Sequence, residues 1–217
     1  WCPRCETGLS THELGLGYKT VKDKSVYVRF RLKSKDKKWA GASILSWTTT
    51  PWTLPGNVAL AVNPEEKYVA LPDPAAKRRH LILGLATLKQ LSAKKFFPPE
   101  YGKLKPEEIK VFLGKELLGL EYQPLFPVAK LSSETSHRVY AAGFVTMKEG
   151  TGVVHTAVMY GEDDYQLGKK VGLPTFHTVD ESGKFIAAAG EGLGGQFVKD
   201  PKTEEKIIDS LKRRSLL

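Results

Sequence analysis

Three consecutive threonines, Thr48, Thr49 and Thr50, lead into a proline-bounded turn in the stretch SWTTTPWTLPGN, residues 46–57. Each carries a hydroxyl that both donates and accepts on a short, stiff side chain. Inside a strand, neighbouring side chains point to opposite faces, but at the start of a turn consecutive side chains and backbone amides can surround one small volume. The chemistry this suits is positioning, the holding of a water or a ligand hydroxyl. A covalent threonine nucleophile needs an activating base or an N-terminal amine, and neither is close in sequence. The opposing reading is a β-branched strand end that binds nothing.

A second group lies in GTGVVHTAVMYGEDDYQLG, residues 150–168, where His155 precedes Asp164 by nine residues. A strand carrying the histidine, followed by a short loop and a helix opening on Glu162, Asp163 and Asp164, can bring imidazole and carboxylate over one pocket. The carboxylate could hold a cationic amine, and His155 could orient a water or shape the wall. Acids in a first helical turn also serve as caps and dipole partners, and a histidine in a strand is often structural. The segment is neither an HExxH metal motif nor a Ser-His-Asp arrangement, and no GxxxxGK[ST] phosphate loop occurs in the chain.

The third candidate is the pair Cys2 and Cys5 in CPRC. Two thiolates at this spacing can form one edge of a tetrahedral zinc site, but zinc takes four ligands and the chain has no other cysteine. A redox pair should open a helix after a strand, and nothing strand-like precedes Cys2. His12 is a conceivable third ligand, though a polar residue near a terminus generally faces solvent.

These groups need a scaffold. Alternating or apolar runs predict strands over 25–32, 42–48, 57–63, 68–71, 80–84, 109–114, 137–143 and 152–158. Helical patterns cover 86–96, 161–172 and 202–214, the middle one with acids in its first turn and lysines in its last. The expected class is mainly β, a closed or nearly closed β-barrel with peripheral α-helices, since strict strand–helix alternation is missing. The proline-rich stretches 71–77 and 96–108 read as surface connections.

At 217 residues and 41% hydrophobic content the chain can bury one substantial core. No apolar run is long enough to span a bilayer and no signal-peptide order opens the chain, so a soluble, cytoplasmic protein is expected. The first residue, Trp1, points to a piece of a longer polypeptide. Thirty-three lysines and arginines against twenty-four acids give a net charge of +9, a balance that favours a polyanionic partner such as nucleic acid. The basic clusters at 33–38, 77–79, 94–95, 169–170 and 212–214 can each equally be solvated surface.

Taken in order, WCPRCETGLSTHE, VKDKSVYVRFRL, SWTTTPWTLPGNVALAVNPE and GTGVVHTAVMYGEDDYQLGKKVGLP resemble the editing domain inserted into the catalytic domain of isoleucyl-tRNA synthetases. The likeness runs from Trp1 to about Gly183 and is loose over 72–135. Valyl and leucyl relatives place an arginine after two threonines; here Thr50 stands third, which favours the isoleucyl group. The resemblance implies residues 1–15 as the stump of a split zinc module and linker, and 16–217 as the editing domain. Cys2 and Cys5 would be half of a zinc site completed elsewhere in the full-length enzyme. Editing itself would need no cofactor.

The resemblance also implies roles. Asp164 would anchor the α-ammonium of a mischarged amino acid. Thr48, Thr49 and Thr50 would surround the scissile ester, the terminal ribose and the attacking water, and His155 would bound the side-chain pocket. Trp47, Trp52, Thr53 and Asn57 would form pocket walls and support the loop. The implied function is deacylation of valyl-tRNA for isoleucine, and of valyl-adenylate as a further substrate, with the remainder of the synthetase as partner and no membrane. Alternatives are a non-catalytic module that binds the tRNA acceptor end, or a valyl-type domain acting on a threonyl ester. Many family members have Pro-Gly-His or Pro-Asp-His where this chain has Val158-Met159-Tyr160, a change at the pocket mouth.

Overall fold

The computed structural model describes residues 1–73, 79–97, 101 and 109–217. Parts of the two proline-rich connections and of the basic cluster 77–79 lie outside these residues.

Two sheets make up the body. The first has five strands: β1 (Val26–Arg31), β2 (Ser43–Thr48), β4 (Lys67–Pro72), β5 (His80–Gly84) and β6 (Lys110–Leu113), in the order β1-β2-β5-β4-β6. The second places β3 (Ala59–Val62) between β7 (Arg138–Ala141) and β8 (Val153–Thr156). All eight are among the expected strands: β5 has the expected bounds, β4 runs one residue further at each end, and the other six are shorter by one or two residues at one or both ends.

The first sheet is covered on both faces, which explains why β4 and β5 read as continuous apolar runs. Ile44, Tyr68 and Ile82 pack into the main core, whereas Leu45, Val69, Leu81 and Leu83 form a second core. The helix α2 (Leu85–Ala93), with Leu88 and Leu91, and the rings of Phe96 and Phe97 cover that second face.

The expected barrel is not closed. At one end the sheets meet through residues 121–122, where Leu32 bridges Tyr122 and Glu121 bridges Arg138. At the other, β2 and β8 face each other without a backbone ladder. Ser46 Oγ on β2 donates to the carbonyl of Val153 on β8 at 2.9 Å, and beside it Gly84 N–H, at the end of β5, donates to the carbonyl of Thr151 just before β8 at 2.7 Å. Four-residue strands such as β3 and β8 offer too few ladder positions to complete a ring. Mainly β with peripheral helices is nevertheless the architecture observed.

Three further helices lie outside. The short α1 (Thr11–Leu16), unexpected from the sequence, starts on a Ser10–Glu13 capping box. The helix α3 (Glu162–Val171) ends on Gly172 at φ 72°, a left-handed position that glycine fills without strain. The last, α4 (Pro201–Arg213), begins with Asp200 accepting from Lys202 N–H, Pro201 taking the first helical position. Among the described residues no helix is long and apolar enough to cross a membrane.

Candidate active site

The strand β2 ends at Thr48, and Pro51 opens a 3-10 turn over Pro51–Gly56. Thr49 and Thr50 are the hinge between them. Because side chains alternate along a strand, Ser46 and Thr48 share a face. On β8 the same holds for Val153 and His155. Ser46 bonds the Val153 carbonyl, so the pleat brings Thr48 towards His155 two residues further along each strand.

A cavity of about 240 Å³ opens there, lined by Trp47, the three threonines, Thr53, Val154, His155, Ala157, Tyr160 and Asp164. The residues singled out in two segments a hundred positions apart therefore face one space. Thr48 Oγ1 accepts from Thr50 N–H at 3.1 Å and lies 3.2 Å from Thr50 Oγ1. Thr53 Oγ1 donates to the Thr50 carbonyl at 2.8 Å and lies 3.0 Å from His155 Nε2. With its one proton directed at Thr50, the Thr53 hydroxyl is the acceptor for His155, which assigns the imidazole proton to Nε2.

His155 is thereby committed to the wall. Its Nδ1 is buried without a partner, and burial pushes its pKa down to about 4, so the ring is neutral near pH 7. Of the two roles open from sequence, orienting a water or shaping the pocket, the bonding favours the second. Thr49 differs from its neighbours: it is exposed, and among the described residues its hydroxyl has no protein partner.

Asp164 arrives from the other side, on the first turn of α3. Its Oδ2 accepts from Ala157 N–H at 3.0 Å, which locks the loop between β8 and α3. No cation pairs with this carboxylate among the described residues. Burial raises its pKa above the usual aspartate value, the Ala157 bond opposing and Asp163 adding to the rise. A half-buried carboxylate without a counter-ion, lining a cavity, suits a positively charged ligand group.

The flanking residues divide. Trp47 and Thr53 line the cavity, whereas Trp52 packs edge-on against Tyr160 at 5.1 Å and turns to a neighbouring apolar hollow. Asn57 is buried behind the turn, donating to Ala59 and accepting from Tyr122 Oη at 2.8 Å, so it supports the loop without reaching the cavity. Val154 and Ala157 line the cavity although the sequence did not point to them, and Tyr160 lines it from the segment expected at the pocket mouth. Strand alternation puts Val154 on the face opposite His155, so it gave no pointer to this cavity, and the backbone of Ala157 leaves no trace in sequence. Tyr160, from the atypical Val158-Met159-Tyr160 segment, is fixed by its hydroxyl 2.8 Å from Thr178 Oγ1.

The cysteine pair lies apart, in a knuckle closed by the Cys2–Thr7 bridge. The two thiols face each other, and backbone amides of Cys5 and Arg4 lower the pKa of Cys2. Two sulfurs are half a zinc site, and among the described residues no group of three or more His, Cys, Asp or Glu could hold a metal. The donors present do not fit a structural zinc ion, and His12 does not join them.

Comparison with known proteins supplies the family. No family model matches the chain. The isoleucine–tRNA ligase of Clostridium acetobutylicum is 42% identical over 217 residues, all of this chain and 19% of that protein. The chain thus spans about a fifth of the length of the curated relatives it matches. In fold it is similar to the crystal structure of GlLeuRS-CP1, with a TM-score of 0.60 at 16% identity over 89% of this chain and 97% of that one. The editing domain of the P. knowlesi cytosolic leucyl-tRNA synthetase gives a TM-score of 0.53 at 14% identity, over 87% of this chain and 82% of that one. The chain belongs to the isoleucine–tRNA ligase family of aminoacyl-tRNA synthetases, as the segment that takes the editing-domain fold.

Proposed function

We propose that the cavity hydrolyses the ester that joins a wrongly attached valine to tRNA for isoleucine. Asp164 takes the α-ammonium, and this reading rests chiefly on its unpaired, desolvated carboxylate. The ester lies towards the threonines. A water attacks the carbonyl carbon, the bond from that carbon to the ribose oxygen breaks, and the ribose oxygen leaves with a proton. Free valine and uncharged tRNA result.

The side chains contribute placement and charge. Thr49 offers an unengaged hydroxyl to the ribose or water. Thr48, Thr50 and Thr53 form a hydroxyl chain anchored on His155, which keeps the turn rigid around the reacting carbonyl. No acyl-enzyme forms, because among the described residues neither base at the cavity is free to activate a threonine: His155 Nε2 is spent on Thr53 and its Nδ1 is buried, and Asp164 holds the ammonium.

Such a site answers a limit on recognition. A missing methylene yields roughly 1–3 kcal/mol of discrimination, isoleucyl synthetases being the standard example, so a second, smaller site must remove valine after transfer. Valyl-adenylate presents the same ammonium and acyl carbon and is the further proposed substrate. The test compares valyl, isoleucyl and threonyl esters of tRNA. Release of valine alone supports the reading, and release of threonine would move the domain to the valyl group. Salt-sensitive binding of tRNA without hydrolysis would leave an acceptor-end binding module.

A further inference from the structure

About five residues down β2 from Thr48, roughly 17 Å at strand rise, lies a second cavity of about 240 Å³ that shares no residue with the first. Arg29 and Arg31 alternate on β1 and therefore project from the same face of the sheet. Ser43 stands opposite Arg31 in the ladder. Asp73 follows β4, Arg79 precedes β5, and the Asp73 N–H donates to the Arg79 carbonyl at 2.8 Å. Lys212, near the end of α4, and Ser215 and Leu217, which follow it, close the remaining side.

The charge is one-sided. Among the described residues four cationic side chains line this cavity against one carboxylate, Asp73. Arg29 is the informative member, with its side chain only 9% exposed. Its Nε donates to Asp73 Oδ2 at 3.3 Å, and among the described residues no hydrogen bond engages either terminal nitrogen. Neither terminal nitrogen is among the buried side-chain atoms that lack a partner, so both keep an accessible surface at the cavity, where an anion can meet them. Arg31 spends one nitrogen on the Arg214 carbonyl at 2.6 Å, which fixes its guanidinium at the rim. Lys212 has only an exposed contact with Asp209 at 3.6 Å, too weak to compete with an anion in the cavity.

We propose that Arg29, Arg31, Arg79 and Lys212 form a binding site for a phosphate group. Planar guanidinium forks match the oxygens of a phosphate, and an ammonium adds a point charge. The phosphate can belong to a polynucleotide backbone or be free in solution. The site goes beyond the deacylation reading and does not rest on it.

The test uses the full chain and the paired substitution Arg79→Gln and Lys212→Gln, both at surface positions. Arg29→Gln would disturb the buried ion pair with Asp73 and is left aside. Titrating inorganic phosphate at constant ionic strength should shift the Arg29 Nε–Hε NMR signal saturably, and the paired variant should abolish saturation. An RNA hairpin ending in a single-stranded CCA is then titrated over a range of salt. If the backbone is the source, the slope of log K against log salt falls by about 1.4–1.8 for two lost contacts. If free phosphate is the source, the slope stays while the phosphate response is lost. A phosphate shift that never saturates, or that persists in the variant, overturns the site. So does a changed slope without phosphate saturation, since any surface cation could produce that.

Discussion

Replacing Asp164 by Asn separates its proposed role from a structural one. The side chain keeps its shape, and the amide oxygen can still accept from Ala157 N–H, the one hydrogen bond that Asp164's side chain makes among the described residues. What disappears is the negative charge facing the cavity. Breaking a buried ion pair by removing one partner costs about 3–5 kcal/mol. Read as lost transition-state binding, that is about two to nearly four decades in kcat/KM for valyl ester hydrolysis. Stability should move the other way or stay level, because burial already disfavours the ionised carboxylate and no cation compensates it. The two readouts are valine release from mischarged tRNA and the thermal midpoint of the free chain. Turnover within tenfold of wild type would remove Asp164 as the ammonium partner. A lowered midpoint accompanying the loss would instead mark the residue as part of the scaffold.

Other outcomes follow from the same geometry. Thr49→Val, which removes a hydroxyl with no protein partner, should leave stability within about 0.5 kcal/mol and slow hydrolysis about 10²-fold, the usual loss for one positioned donor; single-turnover assays beside denaturant melts check both. His155 titrates near 6.5 when unfolded and near 4 when folded, so stability is intact above the unfolded value and falls by about 3 kcal/mol as pH drops between the two. His155→Gln should flatten that part of the stability–pH curve, and an unchanged curve would count against a buried neutral ring. A Cβ added at Gly168 would lie 2.8 Å from Val158 Cγ2, so Gly168→Ala should push α3 outward, cost about 1–3 kcal/mol and weaken hydrolysis through the displaced Asp164. Hydrolysis should also fall with pH as the Asp164 carboxyl protonates, at a higher pH than an ordinary aspartate would give.

Much was legible before any coordinates. Period-two alternation and apolar runs located all eight strands, because burial on one or both sheet faces leaves that pattern directly in the residues. Acids early and lysines late marked α3, and the SWTTTPWTLPGN and HTAVMYGEDD stretches carried enough identity to place the chain among editing domains. Local chemistry, however, cannot close or open a sheet. The gap between the sheets is bridged by the Ser46 hydroxyl and by the Gly84 amide at the end of β5, bonds that no pattern of residue types announces. For the same reason sequence left His155 between two roles: only the hydroxyl of Thr53, folded back from the 3-10 turn, decides which ring nitrogen is engaged. The phosphate pocket belongs wholly to the tertiary level. Its cations come from β1, the edge of β5 and the end of α4, three regions whose charges look like ordinary surface until the sheet places them around one buried guanidinium.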